Sequence, residues 1–230
     1  MMTLTWKPIS LNLREALGEL NDLNCYLHFL VFGDVPDGYG ENERKWLEKL
    51  EANLPFSEMS LHVSLDHAYH HINFAWNTRR TPEERAWHAT NAFDRWSRFP
   101  KTRDFADLRT DVNGARRPHH MEPSAHRKVN ASLVREHILT ARRELEILCW
   151  LVTREIGEDS AWSVPPEGVD ADLANAPLSE REFARRMHAV YAALNLAWNS
   201  RRLKKRAATV GEIRRRQCFS PMFMPGILVK

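Results

Sequence analysis

Apolar positions recur along this chain at helical spacing, and the pattern runs twice. Leu13, Leu17, Leu20, Leu27 and Val31 follow one another at steps of three, four or seven, with Asn24 in the one polar gap. That is the stripe of a helix facing a core, predicted over residues 11–33 and ended by Gly33. Asp34-Val-Pro-Asp-Gly-Tyr-Gly40 reads as a turn-rich loop. A short helix is expected at about 41–53, closed by Pro55. Ser57 and Glu58 then start a helix running to about Arg80, with Leu61, Leu65, Ala68, Ile72 and Ala75 as its apolar stripe. Pro82-Glu-Glu opens a further helix that carries Trp87, Phe93 and Trp96 and stops before Pro100.

Residues 100–129 differ in character, with Pro100, Gly114, Pro118 and Pro123 among scattered charges and His119, His120 and His126. They read as a connection between two halves. The apolar pattern restarts with Val134, Ile138, Ala141, Leu145, Leu148 and Val152, at an offset of 121 from the first helix. Leu178-Ser-Glu180 matches Phe56-Ser-Glu58, and Phe183, Met187, Val190, Leu194 and Ala197 repeat the third helix's stripe at an offset of 122. A basic helix at about 203–216 takes the place of 82–98. The repeat is sharpest in Tyr69-His-His-Ile-Asn-Phe-Ala-Trp-Asn-Thr-Arg-Arg80 and Tyr191-Ala-Ala-Leu-Asn-Leu-Ala-Trp-Asn-Ser-Arg-Arg202, identical at seven of twelve positions.

The expectation is an all-α protein of two tandem, internally duplicated helical units with three or four helices each, packed as a bundle. Its divisions are an arm at 1–10, unit one at 11–99, a linker at 100–129, unit two at 130–218 and an apolar tail at 219–230.

Composition leaves this reading in place. With 43% hydrophobic and 27% charged residues the chain is globular in type, not disordered or fibrous. No window approaches the roughly 20 apolar residues of a membrane span, and the N-terminal residues lack a secretory pattern, so no membrane partner is expected. Cys25, Cys149 and Cys218 are odd in number and lack CxxC spacing, against a disulfide framework or a cysteine zinc site. A reducing cytoplasm is the expected setting.

Charge distribution changes the picture more. The net charge is +3, yet residues 201–216 carry eight Lys/Arg against Glu212 alone. The remainder is therefore slightly acidic, and one segment is strongly basic. Arg201, Arg202, Lys204, Lys205, Arg206, Arg214, Arg215 and Arg216 are candidate nucleic-acid-binding residues, and Arg79 and Arg80 stand at the corresponding place in the first half. Clusters at the two ends of a helix would span several phosphates and make a salt-sensitive backbone contact. No base-reading motif accompanies them.

Two other constellations carry possible chemistry. Tyr69, Asn73, Trp76, Asn77 and their repeats Tyr191, Asn195, Trp198 and Asn199 form a polar stripe beside an apolar face. Asn is a poor interior helix residue, so the stripe is either a packing seam between the halves or a ligand site. Its retention in both copies favours packing, since a duplicated unit needs its packing twice. His62, Asp66 and His70 follow at i, i+4 and i+8, a spacing that can gather imidazoles and a carboxylate on a divalent metal, although the second half has Ala184, His188 and Ala192 there.

The common catalytic signatures (Gly-x-x-x-x-Gly-Lys, Gly-x-Ser-x-Gly, Glu-x-x-His) are missing. The expectation is thus a non-enzymatic α-helical binding subunit, without a cofactor, that contacts nucleic-acid backbone within a larger complex of protein subunits. The alternatives are an adaptor that docks through the apolar tail and a metal-dependent helical enzyme using the His/Asp face.

Overall fold

The computed structural model describes residues 4–83, 86, 123–157 and 164–203. Among these residues there are six α-helices and no strand: α1 (Trp6–Phe32), α2 (Glu41–Asn53), α3 (Glu58–Thr78), α4 (Ala131–Ile156), α5 (Ala171–Asn175) and α6 (Glu180–Ser200). The expected all-α class is what the chain adopts. No helix among the described residues is long and apolar enough to cross a membrane.

Local chemistry sets the boundaries. Gly33 and Gly157 end α1 and α4 in the left-handed conformation, φ 75° and 72°, which glycine reaches without the Cβ penalty. Ser57, Asn130, Asp170 and Ser179 cap the starts of α3, α4, α5 and α6, their side chains accepting from Ser60, Leu133, Leu173 and Glu182 backbone N–H groups. Such a cap satisfies a donor that has no acceptor within the helix.

One element differs from the sequence reading. α1 begins at Trp6, inside the segment expected to be an arm, because Pro8 is tolerated in a first turn and Ile9, fully buried, extends the apolar stripe. α5, on which the sequence reading was silent, is a helix of only five residues whose start is fixed by Asp170. The linker up to residue 122, the helix expected at 82–98 beyond Ala86, the basic helix after Leu203 and the tail at 219–230 lie outside the described residues.

The long helices α1, α3, α4 and α6 build one core. α1 packs on both α3 and α4, α4 packs on α6, and α3 meets α6 more narrowly. Cross-contacts give the directions. Thr5 N–H donates to Arg79 carbonyl oxygen at 3.0 Å, so α1 starts where α3 ends. Asn130 N–H donates to Arg201 carbonyl oxygen at 2.8 Å, so α4 starts where α6 ends. Arg14 on α1 donates to Thr153 on α4 at 3.0 Å, while Arg135 near the start of α4 lies 3.0 Å from His28 near the end of α1. These neighbours are therefore antiparallel. The core they enclose is mainly aliphatic along α1 and α4 and more aromatic between α3 and α6, where Tyr69, Trp76, Phe183 and Tyr191 are at most 2% exposed.

Candidate functional site

The polar stripes of α3 and α6 face each other across the centre of the molecule. Tyr69 hydroxyl donates to Asn195 Oδ1 at 2.7 Å, and Tyr191 hydroxyl donates to Asn73 Oδ1 at 2.8 Å. Their rings lie 6.0 Å apart and 17° from parallel. Each tyrosine thus reaches the asparagine of the opposite helix, and all four residues are at most 2% exposed. Burial drives both phenols far above their usual pKa, so they stay neutral donors. Substrate has no approach to groups sealed in this way. What the arrangement can do is fix register, because a slip of either helix leaves two buried carbonyls unsatisfied.

The stripe ends in ion pairs. At the end of α3, the Arg79 guanidinium lies 3.8 Å over Trp76 and donates to that residue's carbonyl at 2.7 Å. At the end of α6, Arg201 lies 3.6 Å over Trp198 and donates to its carbonyl at 2.7 Å. Glu180, in the first turn of α6, meets Arg80 at 2.6 Å and Arg79 at 3.5 Å. Glu58, in the first turn of α3, takes the guanidinium of Arg202 on both oxygens and lies 3.6 Å from Arg201. Ser124 N–H adds a bond to Glu58 at 3.3 Å. A carboxylate in a first turn also meets the positive end of the helix dipole.

The two clusters differ in depth. Glu58 is fully buried, whereas the Glu180 side chain is 37% exposed. Burial opposes the charge on Glu58, but the hydrogen bond from Arg202 and the charges of Arg201 and Arg202 outweigh it and hold the carboxyl below its usual range. Arg202, bonded directly, is raised, while burial pulls Arg201 down to about 10 despite Glu58. The two arginines move oppositely because 3.6 Å is too long for a hydrogen bond and Arg201 is only 4% exposed. Both remain cations at neutral pH.

Four of the expected nucleic-acid-binding residues, Arg79, Arg80, Arg201 and Arg202, are therefore tied to carboxylates of this same chain. Lys204, Lys205, Arg206, Arg214, Arg215 and Arg216 lie outside the described residues. Trp76 is buried and stacks on Phe183 at 6.1 Å, whereas half-buried Trp198 meets His62 edge-on at 5.4 Å. Asn77 and Asn199 are half-buried beside the seam.

His62, Asp66 and His70 lie along α3, and burial lowers both histidines and raises the aspartate. Each shift favours the neutral form. Among the described residues no three His, Cys, Asp or Glu side chains are placed to hold a metal ion.

Sequence reasoning passed over the loop and helix between α1 and α3. Together with one face of α1 they enclose a recess of about 270 Å³, lined by Glu19, Asp22, Tyr26, Tyr39, Glu43, Trp46 and Phe56. The available signal was Trp46, a large ring in a mostly charged helix, which is 60% exposed. No family model, no curated protein and no solved structure matches this chain.

Proposed function

We propose that the protein is a non-enzymatic binding module made of two tandem, related helical units, and that its basic segment after Leu203 contacts nucleic-acid backbone. The observation that carries the first part is the crossed pair Tyr69–Asn195 and Tyr191–Asn73. A polar stripe whose tyrosines and asparagines bond one another inside the core, out of reach of substrate, belongs to architecture.

Duplication is supported by the matched offsets and by paired local details. Thr5 and Asn130 tie down the ends of α3 and α6 alike, Arg79 and Arg201 cover Trp76 and Trp198 alike, and Glu58 and Glu180 begin opposite helices alike. Cys25 and Cys149 are free and buried, which agrees with a reducing, cytoplasmic setting.

The nucleic-acid reading rests on charge. With Arg201 and Arg202 engaged by Glu58, residues 204–230 still hold seven Lys/Arg against Glu212 alone. They follow directly on a helix end that Glu58 and Asn130 fix in place. A tethered basic segment of this kind binds phosphates without reading bases, and its affinity falls as salt rises.

The test is binding of the full chain to labelled single- and double-stranded DNA and RNA across a salt series. Binding at low salt that weakens steeply with salt, and that is lost when Arg214, Arg215 and Arg216 become Ala, is expected. Absence of binding at low salt, or binding indifferent to those substitutions, contradicts the reading.

A further inference from the structure

Three walls enclose the recess on the first half of the molecule. α1 contributes Glu19, Asp22, Leu23, Cys25 and Tyr26, of which Glu19, Asp22, Leu23 and Tyr26 share one face at steps of three and four. The loop and α2 contribute Tyr39, Glu43, Trp46 and Leu47, and Phe56 and Ser64 close the third side. Two of the rings are held rigidly. Glu51 accepts the Tyr26 hydroxyl at 2.9 Å and the Phe56 backbone N–H at 2.9 Å, and the two rings meet edge to face at 4.8 Å. The rim is fixed as well, since Glu43 accepts Gly40 N–H at 2.9 Å and so holds the residue next to Tyr39 against the start of α2.

The chemistry of this lining is one-sided. Three carboxylate residues and four aromatic residues line the space, and among the described residues no lysine or arginine does. Asp22 is exposed and makes no ion pair among the described residues. His67 stands 3.7 Å from Glu19, and Arg142, whose charge reaches Tyr39 from α4, is itself paired with Glu146 at 2.9 Å. The surplus negative charge is felt within the recess: burial and then the charges of Asp22 and Glu43 push the Cys25 thiol up. Faces of aromatic rings are themselves negative, so rings and carboxylates attract the same kind of guest.

We propose that this recess binds a small organic cation, a quaternary or methylated ammonium compound of about the size of choline. A guest of this type exchanges its loosely held hydration for ring faces at Tyr39, Trp46, Tyr26 and Phe56, with Asp22 and Glu43 supplying the countercharge. The volume of about 270 Å³ falls just below the range of about 300–1,000 Å³ typical of drug-sized ligands, which fits a compact headgroup better than a long chain. Among the described residues, the corresponding place in the second half is lined differently. There Thr140 and Arg143 stand at the offset positions of Glu19 and Asp22, and Arg154 donates to the carbonyls of Leu173, Ala174 and Ala176, tying α5 down. The inference is independent of the nucleic-acid reading.

The test is calorimetric titration of the full chain with choline and with its neutral carbon isostere, 3,3-dimethylbutanol. Choline is expected to bind at least about tenfold more tightly than the isostere, equivalent to about 1.4 kcal/mol. Trp46→Ala and Asp22→Asn should each weaken choline several-fold, while Val164→Ala, an exposed apolar position on the second half, should leave it unchanged. Both recess positions are exposed, so the variants should fold, and thermal melting checks that. Equal affinity for the isostere, affinity unmoved by both recess variants, or no saturation by choline in the tens of millimolar overturns the proposal.

Discussion

The two halves of this molecule agree at the centre and part company at the rim. In the seam, Tyr69 and Tyr191 make the same bond to the opposite helix within 0.1 Å. Away from it, a 13-residue α2 stands over an open acidic recess in one half, while a five-residue α5 is pinned by Arg154 in the other. Even the matched carboxylates differ, Glu58 being fully buried and Glu180 37% exposed. Elements on which both halves depend are alike, because each half needs the other's Tyr and Asn to complete its own core. Elements that face solvent differ, and the proposed cation site lies there.

The largest break in the comparison should come from Glu58. Replacing Glu58 by Ala leaves Arg201 and Arg202 without their carboxylate, and removing one member of a buried pair costs about 3–5 kcal/mol. The matching change Glu180→Ala, at a half-open site, should cost at most about 1 kcal/mol. Urea unfolding of the two variants gives the difference directly; equal losses would show that burial does not separate the pairs. The Glu58 cluster also has a pH signature. The Glu58 carboxyl is depressed in the fold, so its contribution is full above the unfolded carboxylate range near pH 4 and is lost as pH falls through the folded value. Acid unfolding curves should therefore be flatter in Glu58→Gln than in wild type.

How much of this was legible in the sequence depends on what each pattern encodes. The apolar stripes of α1, α3, α4 and α6 set the helices and their buried faces, because period and burial are linked by geometry alone. The offset of 122 marked Tyr69 and Tyr191, Asn73 and Asn195, as partners in role. It could not show that each tyrosine bonds the other helix's asparagine, since that needs the crossing of α3 and α6. Nor could it show that Arg201 and Arg202 turn inward. A run of basic residues looks alike whether it meets Glu58 or solvent, and the partner lies more than 140 residues away in sequence. The recess escaped notice because its lining comes from three elements with no shared period.

Smaller effects sharpen the contrast at the rim. Arg154→Ala removes the guanidinium that holds three carbonyls at the end of α5, and should cost about 1.5–3 kcal/mol, the range for a hydrogen bond to a charged group. Hydrogen exchange should localise that loss to residues 171–176, leaving α2 as protected as before. Trp46→Ala, on the open side, should change stability by no more than about 0.5 kcal/mol while weakening choline several-fold. A large loss of stability there would make Trp46 a packing residue and merge the two rims into one class.

The seam is best tried by unfolding Tyr69→Phe and Tyr191→Phe separately in urea. Each leaves one buried asparagine carbonyl without its donor, and each should lower stability by about 1–3 kcal/mol, to a similar extent, with nucleic-acid binding unchanged. Variants as stable as wild type that had lost binding would make the stripe a ligand site and contradict its reading as the joint between the halves.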